Sequence, residues 1–264
     1  MSAVLYEVHE GVATLTLNRP QALNSLETTM ARGLIQAALQ AEFDPAVRVL
    51  VIRGAGKHFM AGGDLKWFRE QLALPPRERQ PVFEQFLAEL HTAVLHFKRM
   101  GKPVVASVQG AVAGFGLSLM LAADLVLAAD DAYFTMAYCH IGLSPDGGAT
   151  WALPRMLGLK QAMEIALLGE RFDAARALEL GLVNRVVPAA ALAEETASLV
   201  GRLLAGPPQA LARTKILLNQ SLDNSLEAQL HAEQRAFAAS GAEPDHAEGL
   251  NAFFEKRKPA FGKG

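Results

Sequence analysis

Asp146 stands between Pro145 and the pair Gly147-Gly148, shortly after apolar Ile141 and Leu143. A carboxylate partly desolvated in such a loop has a raised pKa and can take a proton at neutral pH, the chemistry of a general base. Asp is also a preferred N-cap, so the same residue suits the start of a helix near Thr150. Both readings stand on local sequence. A second kind of chemistry needs no side chain. Gly110, Gly114 and Gly116 interrupt an apolar run between a Val-rich segment at 103–108 and the apolar residues 117–123. A strand, a glycine turn and a helix start leave unpaired backbone N–H groups at one spot, suited to a phosphate, a carboxylate or a developing oxyanion. Phe59-Met60-Ala61-Gly62-Gly63-Asp64-Leu65 repeats that arrangement earlier in the chain. Plain close packing of helix on strand uses glycine in the same way.

Other chemistries lack their spacing. The seven histidines include no His-x-x-x-His and no mixed Cys/His ligand pattern, so no metal site is expected. No Gly-Lys-Ser/Thr ends the glycine stretch, its spacing is not that of a dinucleotide fingerprint, and no Gly-x-Ser-x-Gly elbow surrounds Ser118. Cys139 and His140 are neighbours, which in an extended segment point to opposite faces and predict a packed cysteine rather than a nucleophilic pair. Asp124, Asp130 and Asp131 read as helix-end and turn residues. The charge-free run 103–123 is long enough to span a bilayer, but Ser107, Gln109, Ser118 and the glycines dilute it, and no membrane association is expected.

These residues need elements to hold them. Residues 4–10 and 12–17 read as two strands around Glu10-Gly11, and Ser25 is placed to cap a helix running to about residue 42. Residues 47–53 form a Val/Ile/Leu strand, 71–80 with Pro75-Pro76 read as a mobile loop, and 81–100 as an amphipathic helix. Strands follow at 103–108, 125–128, 132–136 and 183–187, with helices at 117–123, 159–168, 174–179 and 191–204. The remainder is helical, at 209–220, 226–240 and 246–254. This order predicts an α/β core, residues 1–195, and a helical C-terminal module, residues 196–264.

The 264 residues are 51% hydrophobic and 20% charged, enough for a sizeable core, and a net charge of −2 offers no surface for nucleic acid. One cysteine leaves no internal disulfide and fits a reducing compartment. The N-terminus shows no basic segment followed by an apolar one, so the expected location is the cytoplasm.

Several motifs occur in a telling order: Asn18-Arg19-Pro20…Ala22-Leu23-Asn24, Phe59 to Leu65 as above, Gly110-Ala111-Val112-Ala113-Gly114-Phe115-Gly116, and Ile141-Gly142-Leu143…Pro145. With Ala175…Ala177…Leu180-Gly181-Leu182-Val183 and Phe253-Phe254-Glu255-Lys256-Arg257-Lys258-Pro259, the set resembles the enoyl-CoA hydratase/isomerase (crotonase) superfamily over essentially the whole chain. The resemblance implies a spiral of strand–strand–helix turns with a helical tail, assembled as a homotrimer or a dimer of trimers. It implies an acyl-CoA substrate and no cofactor beyond the coenzyme A moiety. The thioester oxygen would be bound by the backbone N–H groups of Gly63 and Phe115. Ala22, Ala61, Asp64, Leu65 and Lys66 fall where the family surrounds the coenzyme, and Phe253 and Lys256 where it approaches the nucleotide end.

The departures carry as much as the matches. Where hydratases of the family use two glutamates, this chain has Ser118 and Tyr138. Asp146 instead matches the acid of double-bond isomerases, and Gly142-Leu143-Ser144-Pro145-Asp146-Gly147-Gly148 resembles the phenylacetate-pathway ring isomerases. The reading is therefore one-base isomerisation. The alternatives are a hydratase using Asp146 with a further partner, and an acyl-CoA-binding protein without turnover. Trp67, Phe68, Tyr138 and Trp151 are the candidate walls of the acyl pocket.

Overall fold

The structure, a computed structural model, describes residues 2–262. Met1, at the head of the expected core, and Lys263 and Gly264, at the end of the expected C-terminal module, lie outside the described residues. The chain opens with a hairpin of β1 (Val4–His9) and β2 (Val12–Leu17). Its turn residues Glu10 and Gly11 have φ of 48° and 84°, the left-handed pair that a two-residue hairpin turn needs. Helix α1 (Thr28–Phe43) leads to β3 (Val49–Gly54). Glu27, not Ser25, caps α1, accepting from the Thr29 and Met30 N–H groups. The reason lies across the chain: Leu26 pairs with Gly63, which keeps that stretch extended and delays the helix.

Next come α2 (Leu65–Gln71) and α3 (Pro76–Arg99). Residues 76–80, expected in a mobile loop, belong to α3. Pro75 is extended and Pro76 sits at the first helical position, where a missing N–H costs nothing. Strands β4 (Val104–Val108) and β5 (Ala111–Ala113) precede α4 (Phe115–Ala122). Then β6 (Leu125–Ala129), β7 (Tyr133–Thr135) and a short 3₁₀ turn at Tyr138–Ile141 lead to α5 (Ala149–Leu157) and α6 (Leu159–Leu168). The chain continues through β8 (Phe172–Asp173), α7 (Ala174–Glu179), β9 (Arg185–Val187) and α8 (Leu192–Leu204). It ends with α9 (Pro208–Gln220), α10 (Leu226–Gly241) and α11 (Pro244–Phe254). Among the described residues no helix is long and apolar enough to cross a membrane.

Two sheets organise these elements. The larger has the order β1-β2-β3-β4-β6-β9 and is parallel except for β1; the smaller has the order β5-β7-β8. Successive turns of chain pass through the large sheet, then the small one, then a helix. Thus β4 leads to β5 and α4, and β6 leads to β7. The turn before them does the same in miniature: after β3, Met60 bridges Val112 of β5 before α2 begins. This is the strand–strand–helix spiral. Strand β4 is buried throughout, as a central parallel strand covered on both faces should be.

The division expected at 195/196 runs through the middle of α8. That helix packs on β3, β4 and β6, and Ser107 Oγ on β4 meets Thr196 Oγ1 at 2.9 Å, so α8 belongs with the sheet. Helix α9 is tied to the core by Lys215, 8% exposed, whose Nζ donates to the carbonyls of Phe97 and Lys102 at 2.9 Å each and pairs with Asp124 at 2.7 Å. Asp124 also accepts from the Val104 N–H, so it joins the helix tail to the start of the central strand.

Candidate active site

Tyr138, Ser118 and Asp146 come from three elements and converge. Tyr138, 8% exposed, opens the 3₁₀ turn after β7, Ser118 lies on buried α4, and Asp146 is in the loop before α5. The Tyr138 hydroxyl donates to Asp146 Oδ1 at 2.5 Å. Ser118 Oγ donates to the Asp146 carbonyl oxygen at 2.8 Å and stands 3.4 Å from the Tyr138 hydroxyl. Desolvation pushes the Asp146 carboxyl above the usual carboxylate range, while the Tyr138 hydrogen bond pulls against it. Burial, and then the Asp146 charge, raise the Tyr138 phenol, so it stays a protonated donor.

The capping alternative for Asp146 is overturned. Helix α5 is capped by Gly148 with no side-chain hydrogen bond, and only the Asp146 backbone carbonyl reaches the helix, accepting from the Ala149 N–H at 3.3 Å. Gly147 and Gly148 have φ of 62° and 82°, so the chain turns through two left-handed positions in succession. A Cβ on Gly147 would stand 2.8 Å from both Phe115 Cε2 and Ser118 Cβ. The glycines let the Asp146 loop lie directly on α4.

The two glycine-flanked helix starts come together beside this group. Met60 N–H donates to the Ala111 carbonyl and Ala113 N–H to the Met60 carbonyl, which sets the two turns side by side. A Cβ on Gly114 would stand 3.4 Å from Gly62 Cα and 4.0 Å from the Tyr138 ring. Phe115 is the first residue of α4, where an N–H has no partner within the helix. Gly63 pairs with Leu26 through its neighbours only, Leu26 N–H to the Gly62 carbonyl and Asp64 N–H to the Leu26 carbonyl. Neither the Gly63 nor the Phe115 N–H donates to another group among the described residues. The Phe115 ring, by contrast, is buried under Gly147. The loop that carries Asp146 and the two N–H groups without a partner among the described residues thus meet around the start of α4.

Of the residues expected around a coenzyme, Ala22, Ala61, Asp64, Leu65 and Lys66 form one edge. Ala61 N–H donates to the Leu23 carbonyl, and Leu65 and Lys66 are exposed at the start of α2. The Asp64 carboxylate is already engaged. It caps α2 through the Lys66 N–H and binds Arg19 Nη2 at 2.9 Å; although desolvation pushes it up, these contacts hold its pKa below the usual value. Phe253 is 76% exposed and Lys256 lies just past the end of α11; among the described residues no hydrogen bond or ion pair joins them to this edge.

The expected pocket walls divide. The Phe68 ring covers Gly63, where a Cβ would collide with it; Trp67 and Phe83 pack on Phe68 with ring centroids 5.2 and 5.7 Å away, and Phe86 packs on Trp67 at 4.6 Å. Trp151 instead faces a cleft of about 890 Å³ between α3, α5, α9 and α10, which reaches Gly148, two residues from Asp146. Cys139 is exposed rather than packed, because its segment is a 3₁₀ turn and not a strand.

Sequence reasoning missed His91. Its Nε2 accepts the Gly147 N–H at 3.2 Å, from 56 residues away. A signal was present, since His91 lies in a helical stripe with partly buried Leu87 and Val94.

The model of the family described as Enoyl-CoA hydratase/isomerase matches residues 7–264. A 1,2-epoxyphenylacetyl-CoA isomerase of Escherichia coli K12 is 38% identical over 261 residues, covering 99% of this chain and 98% of the relative. A trans-2-decenoyl-[acyl-carrier-protein] isomerase of Streptococcus mutans is 34% identical, over 98% of this chain and 97% of the relative. The crystal structure of an enoyl-CoA hydratase from Polaromonas sp. JS666 superposes with a TM-score of 0.92 at 37% identity, over 98% of this chain and 99% of that one. With its spiral fold and near full-length similarity to hydratases and isomerases alike, the chain belongs to the enoyl-CoA hydratase/isomerase (crotonase) superfamily.

Proposed function

We propose that this member of the family is an isomerase of unsaturated or ring acyl-CoA thioesters, with Asp146 as its single base. The observation that carries the reading is the company Asp146 keeps: the side chains meeting it are a phenol and a hydroxyl, Tyr138 and Ser118, not a second carboxylate. Hydration needs a water both positioned and deprotonated; isomerisation needs one group that takes a proton and returns it. With a 3-enoyl thioester, Asp146 takes a proton from the carbon next to the carbonyl. The electron pair moves into the thioester oxygen, held by the N–H groups of Gly63 and Phe115. The dienolate then takes the same proton back two carbons along, and the double bond shifts with no gain or loss of atoms. Each oxyanion donor contributes about 3–4 kcal/mol to such a step.

The coenzyme would lie along the edge formed by Ala22, Ala61, Asp64, Leu65 and Lys66. Phe253 and Lys256 would meet the nucleotide end of a coenzyme bound to the same or a neighbouring subunit. Assembly as a homotrimer or dimer of trimers belongs to the same proposal. Its support is the exposed apolar side chains Leu226, Leu230, Phe237, Leu250 and Phe253 on α10 and α11, a concentration that single chains in water seldom leave uncovered. A panel of acyl-CoA thioesters assayed for double-bond migration and for water addition tests the activity. Migration without hydration supports it; rapid hydration of crotonyl-CoA contradicts it. A monomer by light scattering contradicts the assembly.

A further inference from the structure

We infer that His91 is a positioning residue for the reaction: with Ser118 it clamps the peptide plane between Asp146 and Gly147, and so aims the Asp146 carboxylate. The inference rests on the reading of Asp146 as the base. The carbonyl of that peptide accepts from Ser118 Oγ at 2.8 Å, and its N–H donates to His91 Nε2 at 3.2 Å. The two contacts seize opposite edges of one rigid, planar unit. They come from different elements, Ser118 from α4 and His91 from α3.

The clamp answers a specific weakness. Downstream of Asp146 the chain passes through Gly147 and Gly148, both at positive φ, and glycine has the widest choice of backbone conformation. Without a fixed peptide plane, rotation there would swing the Asp146 Cα–Cβ bond. Tyr138 holds one carboxylate oxygen, and the Asp146–Gly147 peptide itself is held by Ser118 and His91. His91 must act as a neutral imidazole with its hydrogen on Nδ1, because Nε2 is the acceptor. Ser118, at a position where hydratases of the family carry a glutamate, acquires a defined task as the other jaw.

The test uses side chains of different reach. Gln can place Oε1 close to where Nε2 stands, whereas Asn ends near the position of Nδ1, and Leu offers no acceptor. The full-length variants His91→Gln, His91→Asn and His91→Leu are compared by steady-state kinetics on an acyl-CoA that the wild type isomerises, beside Asp146→Asn. The expected result is a kcat for His91→Gln near wild type. His91→Asn and His91→Leu should lose about 10- to 100-fold in kcat, the scale of a small misplacement of a catalytic group. KM should stay within about twofold, because the coenzyme edge lies elsewhere. Equal kcat in the Gln and Asn variants, or a loss confined to KM, overturns the clamp. The Gln/Asn comparison decides even if His91→Leu does not fold. An active Asp146→Asn protein would instead overturn the assignment of the base.

Discussion

Removing the Tyr138 hydroxyl should make Asp146 a stronger base that ionises later. In Tyr138→Phe the ring stays in its buried place, and what disappears is one hydrogen bond of 2.5 Å to Asp146 Oδ1. Desolvation, the main cause of the raised Asp146 pKa, remains, while the Tyr138 hydrogen bond that opposes it is gone. A hydrogen bond to a charged acceptor is worth about 1.5–3 kcal/mol. At about 1.4 kcal/mol per pKa unit, this corresponds to an upward shift of about one to two units. The base works only as carboxylate, so activity falls on the acid side as Asp146 takes a proton. The acid limb of kcat/KM for isomerisation should therefore move to higher pH by about one to two units in Tyr138→Phe. The assay is a pair of pH–rate profiles. An unmoved limb, or one displaced to lower pH, would refute the assignment of Asp146 as the titrating base supported by Tyr138.

Further outcomes follow from other parts of the structure. The folded-state pKa of Asp146 lies above its unfolded value, so its contribution to stability is fully present below about pH 4 and is lost as pH rises through the folded pKa. Asp146→Asn should then show a Tm at least equal to wild type at neutral pH, with the gap closing on acidification; a clearly lower Tm at pH 7 would contradict this. Gly63→Pro deletes one oxyanion donor and should lower kcat by about 10²–10³ or more, whereas Phe115→Leu keeps its N–H and should retain a substantial part of the activity. Equal damage from both would count against backbone donors at these positions. Lys215→Ala leaves Asp124 and two carbonyls without their buried cation and should cost about 3–5 kcal/mol in urea unfolding. A loss under 1 kcal/mol would show that the α9 anchor is dispensable.

What the sequence disclosed follows from the range of the interactions involved. The two glycine-flanked helix starts were legible because each is a local event, a glycine turn feeding a helix at Gly62-Gly63 and at Gly114-Phe115. Their adjacency was not, for it depends on Met60 pairing with β5, some fifty residues on. Asp146 was legible as a candidate but divided between base and cap, and what removes the cap, Gly148 at the start of α5 with the carboxylate turned to Tyr138, shows only in the folded chain. His91 escaped because its partner is remote in sequence. Ser25 lost the cap of α1 to Glu27 for the same kind of reason, since the Leu26–Gly63 bridge holds that segment extended. Pro75-Pro76 misled in the other direction: a proline pair looks like a loop and here begins a helix.

In the proposed reaction one carboxylate moves a proton and no water is added. Its most direct test is the product of a 3-enoyl-CoA incubated with wild type and with Asp146→Asn, followed by mass and by double-bond position. Wild type should shift the double bond with no change of mass. Asp146→Asn, folded and still able to bind coenzyme A, should leave the substrate as it was, because an amide cannot take the proton. A product heavier by one water as the main species, or near-normal isomerisation by the Asn variant, would contradict it.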